Sequence, residues 1–404
     1  MKVPYFRVAI PESAIESVNE SIRSGWLTTG KKTKDFETRF AGYYGASHAI
    51  ATNSCTAGLH LSLEAAGIQQ GDLVLVPTMT FAATGEVVRY FDAVPVFVDC
   101  DDAMNMDPAK LEETIHAIRA NKPVAGLEPP YGPLKAVMPM HYGGYACDMQ
   151  EIMRIANEND LLVIEDAAHA VPGYYRPDES SEWQLLGTFG KAGVFSFYAN
   201  KCISTGEGGM VITDDEKMAE RIRVMTLHGM NRDAWKRYTS AGSWYYEIIA
   251  PGYKYNMTDI AAALGLDEMD RIETYLQRRT EIATAYVERL RRLDAIQLPV
   301  QDPATRRSSW HLFSIRLNLE KLSIDRATFI DEMKAREVMC SMHWLPLHLM
   351  PYYRNEYGYD YGLFENAERD WKRQISLPIF PAQTDEQVDA VCSAVESIVE
   401  AFHK

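Results

Sequence analysis

Through its first half the chain alternates short, β-branched apolar runs with longer amphipathic stretches. The runs at 73–76, Val94–Val98, 136–140 and 161–164 are each bounded by turn residues or the edge of a helical pattern, and they predict buried strands. Between them the apolar period lengthens. Residues 13–23 are an amphipathic stretch, and Phe36, Phe40 and Tyr43 recur at helical spacing before Gly45. Residues 57–66 are strong helix formers behind the cap candidates Asn53, Ser54 and Thr56. Strands alternating with helices predict an α/β domain built on a mainly parallel sheet. Ligands of such sheets lie beyond the carboxyl ends of the strands, where the polar residues after each run fall: Thr80 and Phe81, His141 and Tyr142, and Glu165 through His169.

The second half reads differently. Residues 214–225 predict a helix, and 258–290 is strongly helical with few breakers, spanning from the large domain toward a smaller C-terminal one, with a polar boundary at 294–307. Strands are expected at 310–317 and 338–345, and helices at 326–336 and 384–401. The segment 119–135, with four prolines and two glycines, reads as a surface loop.

Composition narrows the function without choosing it. The chain has 404 residues, 47% of them apolar and 24% charged, as in ordinary globular proteins, and is long enough for two domains. A formal charge of -15 argues against general affinity for nucleic acid or an anionic membrane. Six cysteines without a CxxC pair suggest neither a disulfide framework nor a zinc site. No window approaches a membrane span and the first residues lack a signal-peptide core, so a cytoplasmic location is expected.

The chemistry concentrates at 192–212, AGVFSFYANKCISTGEGGMVI. Two apolar runs, 194–198 and 209–212, flank a glycine-rich turn holding Lys201. A lysine in a turn is usually solvated. In a crowded, partly dry place, burial and neighbouring positive charge would instead lower its pKa and free the amine to condense with an aldehyde. In LLVIEDAAHA a buried strand leads into Asp166, with His169 three residues on. These are either a helix cap and a packed histidine, or a pair facing one ligand. A buried carboxylate calls for a cation, and a protonated pyridine nitrogen would supply one. The helix start at 53–57 is either an ordinary cap or an anion site. Trp26, in GWLTTG, suits a core anchor or the lip of a cleft. His343 and His348, in HWLPLH, could be substrate contacts or packed residues; no third ligand at suitable spacing supports a metal. His228, Arg232 and Tyr238 fall in an aromatic stretch that suits either a cleft or a packed interface.

Taken together, EDAAHA, SFYANKCISTGEGG, SGWLTTG, NSCTAGLHL, PTMTFAATG, GYKYNMTDIAAALG, HWLPLH and LPIFPAQTDEQV resemble, in order and over nearly the whole chain, the DegT/DnrJ/EryC1/StrS family of pyridoxal-phosphate-dependent sugar aminotransferases. The resemblance implies a fold-type I enzyme, with a large cofactor-binding domain at 1–270 on a seven-stranded-type sheet and a linker helix with a small α+β domain at 271–404. It implies that Lys201 holds pyridoxal 5'-phosphate as a Schiff base and later shuttles a proton. Asp166 would hold the pyridinium nitrogen, His169 would sit near the ring hydroxyl, and Phe81 would stack on the ring. Thr56 and Ala57 by backbone N–H, and Ser196 by its hydroxyl, would cradle the phosphate. Asn256, or Lys254 beside it, would reach the phosphate or substrate from the second subunit of a homodimer with shared active sites. Trp26, Thr28, His343 and His348 would face a nucleotide-linked keto sugar, His348 as the diphosphate or sugar contact, with glutamate as the amino donor. The sequence departs from the family pattern at Cys55, where many members carry glycine, and at GYKYNM, where GYNYRM is commoner. Members that dehydrate sugars carry histidine in place of the lysine; Lys201 favours transamination, with a dehydratase or lyase on the same fold as the alternative.

Overall fold

A computed structural model describes residues 1–231 and 246–404; Arg232 and Tyr238 lie outside the described residues. The strands are β1 (His48–Thr52), β2 (Leu73–Pro77), β3 (Val94–Val98), β4 (Leu134–Val137), β5 (Leu162–Asp166), β6 (Tyr174–Tyr175), β7 (Gln184–Leu185), β8 (Ala192–Ser196), β9 (Gly209–Thr213), β10 (Ile296–Gln297), β11 (Arg306–Arg307), β12 (Phe313–Leu317) and β13 (Gln374–Leu377). Seven of them form one sheet in the order β1-β9-β8-β5-β4-β2-β3. All neighbours are parallel except β9, which runs against both β1 and β8. The strands of the sheet centre are buried on both faces, which is why they read as continuous apolar runs rather than alternating ones. One core layer holds Phe36, Phe40, Leu75, Val163 and Phe195, and the opposite layer holds Leu59, Val74, Val76, Ile164 and Val194.

β1, β2, β4, β5 and β8 all point the same way, so their carboxyl ends share one edge of the sheet. A third cluster, with Tyr286, Phe313, Phe329, Ile375 and Val395, is built on the small sheet β10-β12-β13 and the helices Ile272–Leu290, Arg326–Ala335 and Asp385–Phe402. Val3 joins it through a bridge to Val338.

The structure corrects two expectations. The helical stretch at 258–290 consists of two helices, Asp259–Met269 and Ile272–Leu290, which meet at Asp270 and Arg271. The strand expected from residue 310 starts at Phe313, since Trp310 holds a left-handed φ of 52, which no strand residue adopts. Residues 338–345 form no strand. Ser341 makes a single bridge to Ser376, and the His343 amide then donates to the Gln374 side chain, with Oε1 at 3.0 Å, instead of continuing a strand ladder. The loop at 119–135 is tied down where Tyr131 Oη accepts from the Val124 amide.

Candidate active site

β5 delivers two carboxylates in succession. Glu165 is fully buried and accepts from the amides of Gly187, Phe189 and Gly190, with His141 Nε2 at 3.0 Å. Asp166, 3% exposed, accepts from Thr84 Oγ1 at 2.7 Å on one oxygen and from the Ala168 amide at 3.1 Å on the other. Burial raises the Asp166 pKa against those two hydrogen bonds and the nearby charge of Lys201.

β8 ends at Ser196, and the turn that follows is closed by the Lys201 amide donating to Tyr198 O at 2.9 Å. The Lys201 amine is held down at about 8, and the cause is burial; Cys55, Asp166 and Cys202 act in the opposite direction. Neighbouring positive charge, which the sequence suggested as a second cause, plays no part. Instead the lysine depresses its neighbours: His169, His311 and His343 are each lowered first by burial and then by its charge or by one another.

The helix Cys55–Ala65 starts beside these groups. Ser54 caps it by accepting from the Ala57 amide at 3.1 Å, so Ala57 closes the cap and is not free for an anion. The amides of Cys55 and Thr56 occupy the first turn, where no intrahelical acceptor exists. Any Cβ at position 209 would come 2.5 Å from the Ser54 carbonyl carbon, so Gly209 is what lets β9 pass under the cap.

His169 is 2% exposed, and its Nδ1 accepts from the Gly143 amide at 3.2 Å. Gly143 sits at a φ of 62, which turns its N–H inward. The proton of neutral His169 is therefore on Nε2, which makes that atom a donor. The His169 ring lies 4.2 Å from that of His311 and 5.4 Å from that of Trp344, and Trp344 in turn lies 6.1 Å from Phe81. Phe81 is 56% exposed, an aromatic face with room beside it.

The predicted substrate residues divide. His343 keeps partial access, with Nδ1 at 2.9 Å from Ser376 Oγ. His348 does not: it is fully buried, with Nδ1 2.6 Å from Thr78 Oγ1 and Nε2 3.3 Å from Glu368 Oε1. Both nitrogens serve the packing between β2 and the C-terminal helices, so the diphosphate contact expected of His348 is corrected to a structural role. Trp26 is 41% exposed, with Nε1 donating to Thr29 O at 3.2 Å, which removes the core reading. Thr28 is exposed next to it. Asn256 and Lys254 are held by their own chain, Asn256 by Nδ2 to Thr29 Oγ1 at 2.7 Å and Lys254 by Nζ to Asn256 Oδ1 at 2.5 Å. The Asn53 amide donates to Tyr255 O, so this loop runs alongside the start of the capped helix.

Sequence reasoning missed Thr84, Gly143, His311, Trp344, Gln374 and Ser376. Only Thr84 left a signal, lying one helical turn beyond Thr80 in PTMTFAATG, and the two hydroxyls are 2.7 Å apart. The others reach the site through the fold.

The donor set fits pyridoxal phosphate. It combines a lysine with a lowered pKa, an under-coordinated buried carboxylate, an imidazole N–H, open amides at a helix start, and His311 Nδ1, a buried polar atom without a partner among the described residues. Residues 8–396 match the family described as the DegT/DnrJ/EryC1/StrS aminotransferase family. The chain is 46% identical over 398 residues to an uncharacterized protein of Methanocaldococcus jannaschii, covering 98% of this chain and 97% of that one. It is 42% identical over 400 residues to the spore coat polysaccharide biosynthesis protein SpsC of Bacillus subtilis, again at 98% and 97% coverage. Among solved structures, the putative sugar aminotransferase Spr1654 of Streptococcus pneumoniae, known in forms with PLP and PMP, superposes with a TM-score of 0.87 at 30% identity. The PMP form covers 99% of this chain and 98% of its own.

Proposed function

The chain belongs to the DegT/DnrJ/EryC1/StrS aminotransferase family, and from that premise we propose that it moves an amino group from L-glutamate to the keto carbon of a nucleotide-linked deoxysugar. It is a pyridoxal-phosphate-dependent aminotransferase. The observation that carries the reading is the Lys201 amine, lowered to about 8 beside the buried Asp166. The product would be an amino sugar for a surface polysaccharide or a secondary metabolite; the likeness to a spore coat polysaccharide protein supports the former.

When bound, the cofactor supplies the electron sink that lets a C–H bond beside nitrogen ionise. The chain supplies the rest. Lys201, neutral over an accessible pH range, holds the cofactor and then takes and returns a proton at Nζ. Asp166 would keep the ring nitrogen protonated, because a buried carboxylate short of partners is stabilised by any cation it meets. His169 Nε2–H would donate to the ring hydroxyl oxygen. The Ser196 hydroxyl and the Thr56 amide, the latter at the positive end of its helix, would bind the phosphate. Phe81 would stack on the ring. Asn256, with Lys254 beside it, would complete the site from a second subunit of a homodimer working in the cytoplasm, and Trp26, Thr28 and His343 would border the sugar.

The test is an absorbance spectrum of the purified protein with pyridoxal phosphate, before and after glutamate. A visible band that moves to the near ultraviolet on adding glutamate is the expected result. A band indifferent to glutamate would overturn the donor assignment, and no band at all would overturn the role of Lys201.

A further inference from the structure

Four polar side chains behind His343, those of Tyr142, Ser314, Gln374 and Ser376, form a hydrogen-bond network whose proton positions can be deduced. Tyr142 Oη lies 2.8 Å from the His343 carbonyl oxygen, and a carbonyl only accepts, so the Tyr142 hydrogen goes there. Ser314 Oγ is 3.2 Å from Tyr142 Oη and must then donate to it. Ser376 Oγ, 3.1 Å from Ser314 Oγ, must in turn donate to Ser314. The Gln374 amide is oriented by its Oε1, which accepts from the His343 amide at 3.0 Å, and its Nε2 donates to Ser314 at 3.0 Å and to Ser376 at 2.7 Å. The Ser376 hydrogen is now spent, so the 2.9 Å contact between Ser376 Oγ and His343 Nδ1 carries the histidine's hydrogen. Every contact holds one hydrogen only in this arrangement. Tyr5 stacks on His343 with ring centroids 6.0 Å apart and approaches the same Ser376 hydroxyl.

With Nδ1 protonated, neutral His343 carries a bare lone pair on Nε2. That atom has no hydrogen-bond partner among the described residues, and it belongs to the ring group that responds to the charge of Lys201. His169 is locked the other way by Gly143, with its hydrogen on Nε2. Two imidazoles near one lysine therefore offer opposite polarity. An acceptor of this kind repels a keto oxygen and attracts a hydroxyl.

We infer that Ser376 and Gln374 are positioning residues that hold His343 with its proton on Nδ1, so that Nε2 accepts from a hydroxyl of the sugar beside the reacting carbon. The hydroxyl rests on the sugar-aminotransferase reading above; the tautomer does not. A sugar lacking that hydroxyl would leave the lone pair desolvated and unpaired, which is how such a site discriminates.

Long-range proton–nitrogen spectra of protein labelled with 15N in histidine, with His343→Gln to identify the signals, report the tautomer without any turnover. The expected result is a pyrrole-type Nδ1 and a pyridine-type Nε2 for His343. Ser376→Ala should average the two signals, and Ser376→Thr should restore them. A pyridine-type Nδ1 in the unaltered protein overturns the proposal, whatever the enzyme's substrate. Kinetically, with UDP-linked and dTDP-linked 4-keto-6-deoxyglucose as probes, Ser376→Ala should raise KM by up to about tenfold, the worth of one hydrogen bond, and change kcat much less. Turnover with KM unmoved by Ser376→Ala overturns the hydroxyl contact and leaves the tautomer standing. Absence of turnover with either probe counts against the hydroxyl contact together with the sugar reading; the nitrogen spectra still decide the tautomer.

Discussion

Glu165 and Asp166 are neighbours on one strand, equally hidden from water, and their surroundings differ in one respect. Glu165 meets three loop amides and a histidine; Asp166 meets one hydroxyl and one amide. The first carboxylate organises the loop at 187–190 on the protein's own account, while the second is left with acceptor capacity that a bound cation would use. The histidines of HWLPLH repeat the contrast. His348 has both nitrogens engaged, and His343 has one. In these two pairs the group saturated by its own chain is structural, and the under-saturated one faces the proposed site.

Substitutions can break that comparison. The largest effects are expected at the carboxylates. Asp166→Ala should lower kcat by about 100-fold or more, as loss of a preorganised charge contact does, with the melting temperature of the cofactor-free protein unchanged or raised. Glu165→Gln should do the reverse, costing about 3–5 kcal/mol in denaturant unfolding, because three amides lose a buried charge. If the two variants behave alike, the distinction between them is wrong.

Lys201 sharpens the same contrast through pH. Its folded pKa of about 8 lies below the ordinary 10.5, so the unfolded chain binds the proton more tightly. The cofactor-free protein should thus be penalised below pH 8 and gain stability as pH rises toward 10.5. Lys201→Met removes the buried charge and should raise stability at neutral pH by up to about 3 kcal/mol, visible as a higher melting temperature, while abolishing turnover. In the unaltered enzyme the rate of cofactor capture should climb with pH through about 8, where the free amine becomes the majority form. A flat profile would mean that the amine is not buried as described.

The histidines come next. His348→Ala should cost about 2–3 kcal/mol of stability by stranding Thr78 and Glu368, whereas His343→Ala should spare stability and raise KM for the sugar. The smallest effect compares two caps. Ser54→Ala and Thr384→Ala should each cost about 1 kcal/mol, but only Ser54→Ala, at the start of the helix proposed to bind the phosphate, should also weaken pyridoxal phosphate in an equilibrium titration.

Much of this was legible along the chain. The strands of the large sheet are short apolar runs because both faces are covered, and the polar residues that follow them mark the carboxyl edge where Asp166 and Ser196 stand. Lys201 was legible through motif and turn chemistry together. The misreadings share one cause. Val338 to Leu345 has strand composition, yet side chains from elsewhere claim its backbone, and His343 and His348 sit in one hexapeptide with nothing local to tell them apart.

The sequence by itself determined the α/β architecture, the strand ends that carry polar residues, and the lysine, aspartate and histidine proposed to hold the cofactor, because periodicity, turn chemistry and motif order are local properties. Only the tertiary structure decided which polar groups are saturated. Glu165 is satisfied by residues 187–190 and His141, and His348 by Thr78 and Glu368. His343 is steered by Tyr142, Ser314, Gln374 and Ser376, which are far apart in the chain. Whether a buried group is finished or still open depends on partners that folding brings together from distant segments.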